Sequence, residues 1–203
     1  MKLLQFTVFK SFKNMSSSTT SGHWSQALTA AMSDPQQILD SDDQIVIIKD
    51  KYPKALYHFL VLPRRKMPNL RSMTKNDLDL LKYMHNKGEA FANRANKELK
   101  FRFGYHAIPS MSHLHMHIIS QDFNSSCLKT VKHWNSFNTE NFVDSADLIK
   151  EIETKGRFEI DQEEISLLLK KDLCCHVCKQ SFSTLPKLKD HIVLHDVTRR
   201  ENK

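Results

Sequence analysis

The sequence predicts an α+β protein in which helices flank an antiparallel sheet, followed by a small C-terminal C2H2 zinc finger. Three observations support this prediction: β-like runs come in pairs joined by short turns, amphipathic helical segments separate the pairs, and the C-terminal segment carries cysteines and histidines at zinc-finger spacing. With 203 residues and 40% hydrophobic content, the chain can bury one good core, so a second small module needs a metal to stabilise it.

The N-terminal part begins with residues 1–22, which are basic, rich in Ser and Thr, and without an acidic residue. We expect a disordered tail there, with a mitochondrial presequence as the alternative. A short helix starting at Trp24 should follow, because its apolar positions recur at helical spacing. Residues 45–48 and 57–62 are β-like and should form a hairpin, followed by an exposed basic loop over 63–68.

The middle of the chain predicts one helix and two more strands. Thr74 and Asp77 are spaced as in a capping box, with Asp in place of Glu, and they predict a helix that ends near Asn96. Residues 101–108 and 113–120 alternate as strands do, with a turn between them.

The remaining segments predict a long loop and two helices before the cysteines. Residues 121–143 are polar and irregular, and loops of that length often carry function. Helices should cover 145–155, closed by Gly156, and about 161–171. The predicted division of the chain is a tail over 1–22, a catalytic domain over 23–143, a helical connector over 144–172 and the finger over 173–203.

The most informative stretch of the first domain holds His113, His115 and His117, which alternate with apolar residues. In a strand all three imidazoles would share one face. Such a set either binds a transition metal, or one imidazole acts as a nucleophile while the others orient it, or the alignment is chance. Ser110 and Ser112 offer hydroxyls that suit phosphate oxygens, and no acidic residue is near in sequence to support a zinc site. Phosphoryl chemistry is therefore favoured over a metal site.

These histidines and the strings around them resemble the aprataxins, a family of histidine-triad hydrolases. The resemblance covers nearly everything after residue 22. Its strings are HWSQ at 23–26, DKYPKA at 50–55, YHFLVLP at 57–63, GYHAIPSMSH at 104–113, HLHMHII at 113–119, SQDF at 120–123 and KHWNSFN at 132–138.

The resemblance implies the histidine-triad fold and a nucleotidyl hydrolase in which His115 attacks the α-phosphorus of an AMP joined to DNA by a 5′,5′-pyrophosphate. DNA with a 5′-phosphate leaves, water then hydrolyses the AMP–histidine intermediate, and no metal is needed at this site. Each remaining residue of the implied site has a role carried over from the motif: His113 and His58 orient and polarise His115, His117 and His106 contact phosphate oxygens, Ser110 and Ser112 cradle the phosphate, and Asp50 holds the ribose.

The C-terminal segment predicts a structural zinc site, one ion per chain, with its four ligands spaced as in a C2H2 finger: Cys175, Cys178, His191 and His195. Phe182 and Leu188 occupy the positions of a finger's small apolar core. Pairing of Cys174 with Cys178 is the alternative. Pro186 lies early in the expected finger helix, so contact with the DNA backbone is favoured over base readout.

A net charge of +7, from 30 Lys and Arg against 23 Asp and Glu, favours a polyanionic partner, and the resemblance implies that this partner is DNA. Near the histidines, two basic or polar rims and the first helix offer contacts to a DNA end, and Trp24 or Ser25 could act as a wedge. The candidate contacts are Ser25, Lys54, Arg64, Arg65, Lys66, Asn124, Ser125, Lys129 and Lys132, together with Lys179, Lys187, Lys189, Arg199 and Arg200 of the finger.

The resemblance further implies nicked or double-strand 5′-adenylated ends as substrates in single-strand break repair, AMP as product, a monomer and a nuclear location. It leaves open RNA–DNA junctions, guanylated 3′ ends and a mitochondrial pool. No apolar run long enough to cross a bilayer occurs, so no membrane partner is expected. Some members carry a forkhead-associated domain, which we do not expect in residues 1–22.

Two alternative functions are considered. The first, from another class, is a nucleic-acid-binding finger protein whose histidine strand is a second metal site and which has no catalytic activity. The second is a small-nucleotide hydrolase of the same superfamily, acting on phosphoramidates or dinucleoside polyphosphates. Metal content separates the first from the DNA hydrolase, since it requires two zinc ions per chain.

Overall fold

The computed structural model describes residues 27–195. The predicted tail, the Trp24 and Ser25 wedge, and Arg199 and Arg200 lie outside the described residues. Among the described helices, none is both long and apolar enough to cross a membrane.

A six-stranded antiparallel sheet forms the centre of the molecule. Its strands are β1 (Ile38–Ser41), β2 (Ile45–Lys49), β3 (His58–Pro63), β4 (Phe101–His106), β5 (Met116–Ser120) and β6 (Phe142–Asp144). They lie in the order β1-β2-β3-β5-β4-β6. The predicted hairpin is confirmed as β2 and β3, with Val46 opposite Leu62. The two later predicted strands also pair, as β4 and β5.

Six helices accompany the sheet: α1 (Ala27–Ala31), α2 (Leu78–Ala95), α3 (Val131–Asn138), α4 (Ser145–Lys155), α5 (Gln162–Leu168) and α6 (Leu185–Ile192). The capping box is confirmed at a short 3-10 turn that leads into α2. The Asp77 carboxylate accepts a hydrogen bond from the Thr74 main-chain N–H, and the Thr74 hydroxyl accepts one from the main chain of the turn. Asn96 caps the end of α2. Gly156 ends α4 at φ +84°, a conformation that favours glycine.

Both faces of the sheet are covered, which explains why β2 and β3 are apolar at nearly every position. Ile45 and Ile47 face one side, with α2 and α4, while Val46 and Ile48 face the other side, with α1. Strand alternation thus divides one short sequence between two cores.

The predicted loop over 121–143 was wrong in part, because this segment contains α3 and β6. Trp134 and Phe137 of α3 are buried, and Thr130 caps its N-terminus by accepting a hydrogen bond from the His133 main-chain N–H. Two apolar side chains in a polar stretch give a weak helical pattern. Their partners are distant in sequence, because Trp134 packs on His176 of the finger and Phe137 packs on His106 of β4.

The finger consists of the strands β7 (Leu173–Cys174) and β8 (Ser181–Phe182), α6, and a final 3-10 turn (Val193–His195). Leu185 and Leu188 of α6 lie in the same apolar cluster as Phe123 and Trp134 of the preceding domain. The finger therefore packs directly on the layer that contains α3.

Candidate active site

The alternation predicted that the whole histidine motif lies in a strand, and this prediction was wrong in part. β5 begins at Met116, so only His117 is a strand residue. His113 and His115 lie in the preceding loop, where His113 has φ +74°, in the left-handed region. Leu114, between the two, is buried in the core. The His113 imidazole bonds the Pro63 carbonyl oxygen at 2.8 Å and borders a small space that His115 also lines.

His115 is held in a single tautomer by the main chain. Its Nδ1 lies 2.9 Å from the carbonyl oxygen of His113. Because a carbonyl only accepts, Nδ1 carries the proton and Nε2 keeps its lone pair. Burial lowers the pKa of His115, which outweighs the opposing effect of this hydrogen bond. The ring is therefore neutral near pH 7, with a free nucleophilic nitrogen.

His58 and His117 form a second ordered pair. The main-chain N–H of Lys54 donates to His58 Nδ1 at 3.1 Å, so the His58 proton lies on Nε2. His58 Nε2 is 2.8 Å from His117 Nδ1 and donates to it. His117 consequently carries its own proton on Nε2, an atom that is buried and has no partner within residues 27–195. That N–H is an unused hydrogen-bond donor.

Burial keeps the neighbouring rings neutral as well. It lowers the pKa of His58 to about 4 and the pKa of His106 to about 3, and it holds the pKa of His117 well below its usual value. The His106 ring packs on His117, with centroids 4.4 Å apart, and on Phe137. Its buried Nε2 also lacks a partner in the described structure.

A cavity of about 430 Å³ opens in front of these rings, a size in the range of small-molecule sites. His58, His106, His115 and His117 line it. The other predicted residues in its lining are Asp50, Lys54, Ser110, Lys129 and Lys132. His113 and Ser112 line adjacent smaller spaces instead.

The two predicted basic rims differ in whether their side chains are paired within the protein or reach the cavity. The Arg65 guanidinium pairs with Asp77, and Arg64 Nε donates to the Asp42 carbonyl at 2.6 Å. Lys66 is exposed. These three residues border the loop after β3, outside the cavity lining. On the opposite rim, Lys129 and Lys132 reach the cavity itself.

The other predicted rim residues, Asn124 and Ser125, are held by local hydrogen bonds. The Asn124 N–H donates to Asp122 at 2.7 Å, and the Ser125 hydroxyl donates to the Pro53 carbonyl at 2.5 Å. Their roles toward DNA remain predictions.

Several lining residues were missed by the sequence reasoning. They are Tyr52, Cys127, His133, Ser136 and Asn141. Asn141 also fixes the loop after β4, because its carbonyl oxygen accepts from Ala107 N at 2.7 Å and its amide oxygen accepts from Ile108 N at 3.2 Å. A lone Asn in a polar stretch gives no signal of such a role.

The four predicted zinc ligands converge, with donor atoms of Cys175, Cys178, His191 and His195 all within 4.8 Å of one another. Cys178 Sγ lies 3.1 Å from His191 Nε2, which in turn lies 3.0 Å from His195 Nε2. Tetrahedral zinc spaces its ligand atoms by about 3.3 to 3.8 Å, and two thiolates with two imidazoles are a common zinc set, so these residues fit the metal. Cys174 lies outside this group, with its Sγ on the Lys179 carbonyl.

A second group of possible metal donors joins Asp50, His58 and His117, also within 4.8 Å. Asp50 Oδ2 lies 3.6 Å from His58 Nε2. The sequence argument against a metal, that no acidic residue is near the motif, therefore overlooked a carboxylate that folding brings in from the turn before β3. The group contains only one of the three motif histidines.

Comparison with known proteins agrees with the fold. Residues 23–133 match the family model for the C-terminal binding region of the scavenger mRNA decapping enzyme, and residues 138–195 match that for the C2HE, C2H2 and C2HC zinc-binding finger. Aprataxin of Gallus gallus is 51% identical over 86% of this chain and 55% of its own length, and aprataxin of Danio rerio is 49% identical over 88% and 55%. The chain thus spans about half the length of these two relatives.

A shorter relative is matched over almost its whole length. The aprataxin-like protein of Saccharomyces cerevisiae is 32% identical over 84% of this chain and 95% of its own length. Among solved structures, the aprataxin ortholog Hnt3 in complex with DNA superposes with a TM-score of 0.68 at 24% identity, covering 85% of this chain and 92% of that one. Together with the histidine cavity and the finger, these matches establish that the chain belongs to the aprataxin family and has the histidine-triad fold.

Proposed function

We propose that this protein removes AMP from 5′-adenylated DNA ends through a covalent AMP–histidine intermediate on His115, restoring a 5′-phosphate for single-strand break repair. The observation that carries the proposal is the state of His115. It is neutral, its Nδ1 proton is fixed on a carbonyl oxygen, and it lines a cavity beside buried nitrogens that lack partners.

In the first step the lone pair of His115 Nε2 attacks the α-phosphorus. The P–N bond forms, the bond from that phosphorus to the bridging oxygen breaks, and the DNA leaves as its 5′-phosphate. The ring becomes cationic, and the His113 carbonyl that accepts from Nδ1 stabilises that charge. In this proposal His113 orients the nucleophile through its main chain, while its imidazole bonds the Pro63 carbonyl at 2.8 Å.

The phosphate oxygens need donors as charge develops on them. His117 Nε2–H is such a donor, because His58 holds the other nitrogen of that ring. We therefore assign His58 to fixing the His117 tautomer, and His106, Ser110 and Lys54 to the phosphate region of the cavity.

The remaining assignments concern the sugar and the second step. Asp50 lines the cavity wall beside His58 and is proposed to hold the ribose, and Ser112 to support the phosphate loop. Water then attacks the same phosphorus, the P–N bond breaks with its electron pair returning to His115 Nε2, and AMP leaves. The proton lost by the water passes to solvent, and His115 is neutral again. No metal enters either step, and the finger would hold one structural zinc.

DNA as the carrier of the adenylate is supported by the net charge of +7, by the lysines at the cavity, and by the relative that was solved in complex with DNA. A further solved relative is described as Hnt3 in complex with DNA and guanosine, so guanylated 3′ ends and RNA–DNA junctions belong in the substrate panel. We propose a monomer that acts in the nucleus, with a mitochondrial pool as the alternative.

The test incubates the chain with nicked DNA carrying a 5′-adenylate and measures AMP release, with trapping of an AMP–protein adduct. His115→Asn should abolish both and leave DNA binding within about twofold. His85→Asn is the matched control, because His85 lies on α2 outside the cavity lining. AMP release by His115→Asn at the wild-type rate would refute the assignment.

Two further results would redirect the proposal. Rapid turnover of a small AMP conjugate without release from DNA would favour a small-nucleotide hydrolase. Two zinc ions per chain, with loss of one on substitution of His117, would favour a metal site at Asp50, His58 and His117.

A further inference from the structure

The zinc finger is joined to the segment that forms one wall of the cavity. The Trp134 indole N–H, from α3, donates to the Cys174 carbonyl at 3.0 Å. On the finger side, His176 Nε2 lies 3.0 Å from the Gln121 carbonyl and donates to it. His176 lies between the two cysteine ligands in sequence, so both contacts adjoin the metal-binding turn.

A third contact comes from the finger helix. Lys189, two residues before the ligand His191, donates from Nζ to the Ser125 carbonyl oxygen at 2.8 Å. Its ammonium is therefore engaged inside the molecule, whereas the sequence had suggested a DNA contact. A hydrogen bond from a charged donor to a carbonyl is stronger than one between neutral groups.

Ser125 connects Lys189 to the cavity wall through two further hydrogen bonds. Its hydroxyl donates to the Pro53 carbonyl at 2.5 Å and accepts from the main-chain N–H of Cys127 at 3.1 Å. Cys127 lines the cavity, and so does Lys54, the residue after Pro53. One short chain of hydrogen bonds thus runs from α6 of the finger to two places in the cavity wall.

The apolar packing beneath this chain is also shared. Phe123 and Leu128 from the wall segment, with Trp134, form one buried cluster with Leu185 and Leu188 of the finger. A finger of this size is ordered by its metal, so the packing surface under the wall exists only when zinc is bound.

We propose that the finger positions the nucleotide cavity, with Lys189 as the positioning residue that fixes Ser125 and, through it, the wall that carries Lys54 and Cys127. The finger would then contribute to binding of the AMP moiety itself, independently of any contact between the finger and DNA. The inference rests on the proposed function only in taking AMP as the ligand of this cavity.

The test uses the full chain loaded with zinc and compares Lys189→Met, Lys189→Arg and Lys150→Met. Methionine keeps much of the side-chain length but removes the ammonium, and arginine restores a charged donor. Lys150 is exposed on α4 and gives the same change of charge away from the cavity. Zinc content of one ion per chain in each variant establishes that the finger is folded.

Two measurements are made without DNA. For a small AMP phosphoramidate, Lys189→Met should raise KM by about three- to tenfold with kcat within about twofold, as expected for loss of one charge-assisted hydrogen bond that positions a binding wall. Hydrogen exchange should become faster at the Cys127 and Leu128 amides, which bond to Ser125. Lys189→Arg should restore both values, and Lys150→Met should match the wild type.

Unchanged KM and unchanged exchange in Lys189→Met would overturn the proposal, as would equal effects of the methionine and arginine variants. If the wild type does not turn over the phosphoramidate, this small compound is not a substrate, and the proposed action on adenylated DNA is decided by its own test. The exchange of Cys127 and Leu128, together with AMP affinity measured by titration, then still tests the positioning role.

Discussion

The buried histidines around the cavity should make the folded protein sensitive to mild acid. In an unfolded chain a histidine takes up a proton near pH 6.5, whereas burial lowers the pKa of folded His106 to about 3 and of folded His58 to about 4. Between those values the unfolded state binds more protons than the folded state. Stability is therefore greatest above pH 6.5 and falls as the pH is lowered.

The size of the effect follows from these pKa values. Between pH 7 and pH 5 a histidine that titrates only in the unfolded state lowers the free energy of unfolding by about 2 kcal/mol. His58 and His106 together contribute about 4 kcal/mol on the same basis, and His115 and His117 shift in the same direction. A domain of ordinary stability has only about 5–15 kcal/mol to lose.

Urea unfolding at pH 7 and pH 5, for the wild type and for His106→Gln, measures this directly. Glutamine does not titrate, so the loss of stability between the two pH values should be about 2 kcal/mol smaller in the variant. Weaker zinc binding at pH 5 affects both proteins and cancels in the comparison. An equal loss in the two proteins would refute the reasoning that folded His106 stays neutral.

Two glycines and one finger leucine give further expectations. A Cβ at Gly104 would collide with the Val143 main-chain oxygen, so Gly104→Ala should lower the free energy of unfolding by about 1–3 kcal/mol in urea titrations, and an unchanged midpoint would contradict this contact. At Gly88 the Cβ would come too close only to the terminal methyl group of the flexible Met116 side chain and would be in ordinary contact with Ile118, so Gly88→Ala should cost less than about 1 kcal/mol. Leu188 is fully buried in the cluster shared by the finger and the preceding domain. Leu188→Ala should therefore lower the free energy of unfolding by about 2–5 kcal/mol and speed the loss of zinc to a chelator. Zinc loss at the wild-type rate would argue against a shared core.

Local patterns predicted the elements whose signals lie within a few residues. The capping box before α2, Gly156 after α4 and the hairpin of β2 and β3 each depend on short-range backbone chemistry, and each was confirmed. α3 was missed because its buried face depends on distant partners: Trp134 packs on His176 of the finger, and Phe137 packs on His106 of the sheet. The strand over the histidine motif was predicted too long, because alternation continues through His113 although its backbone leaves the β region.

The candidate site also has some features that the sequence predicted and others that only the structure revealed. The sequence singled out the motif histidines and the four zinc ligands, because regular spacing is a one-dimensional property. It could not show that Asp50 lies beside His58, that His58 bonds His117 rather than His115, or that Ser112 lines an adjacent space. His58 and His117 are 59 residues apart along the chain, and Asp50 meets His58 only through the fold of the turn between them, so spacing in the sequence does not reveal either contact.

The sequence by itself determined the chemical groups of this protein: imidazoles whose ordinary pKa is about 6.5, a metal-binding finger, and a net positive charge. Only the three-dimensional structure decided which nitrogen of each ring carries its proton. The folded backbone brings the Lys54 N–H to His58 and the His113 carbonyl to His115, and the pairing of β3 with β5 brings His58 to His117. The structure also decided that the finger forms part of the cavity's support, because Lys189 and Ser125 meet only when the two modules pack together.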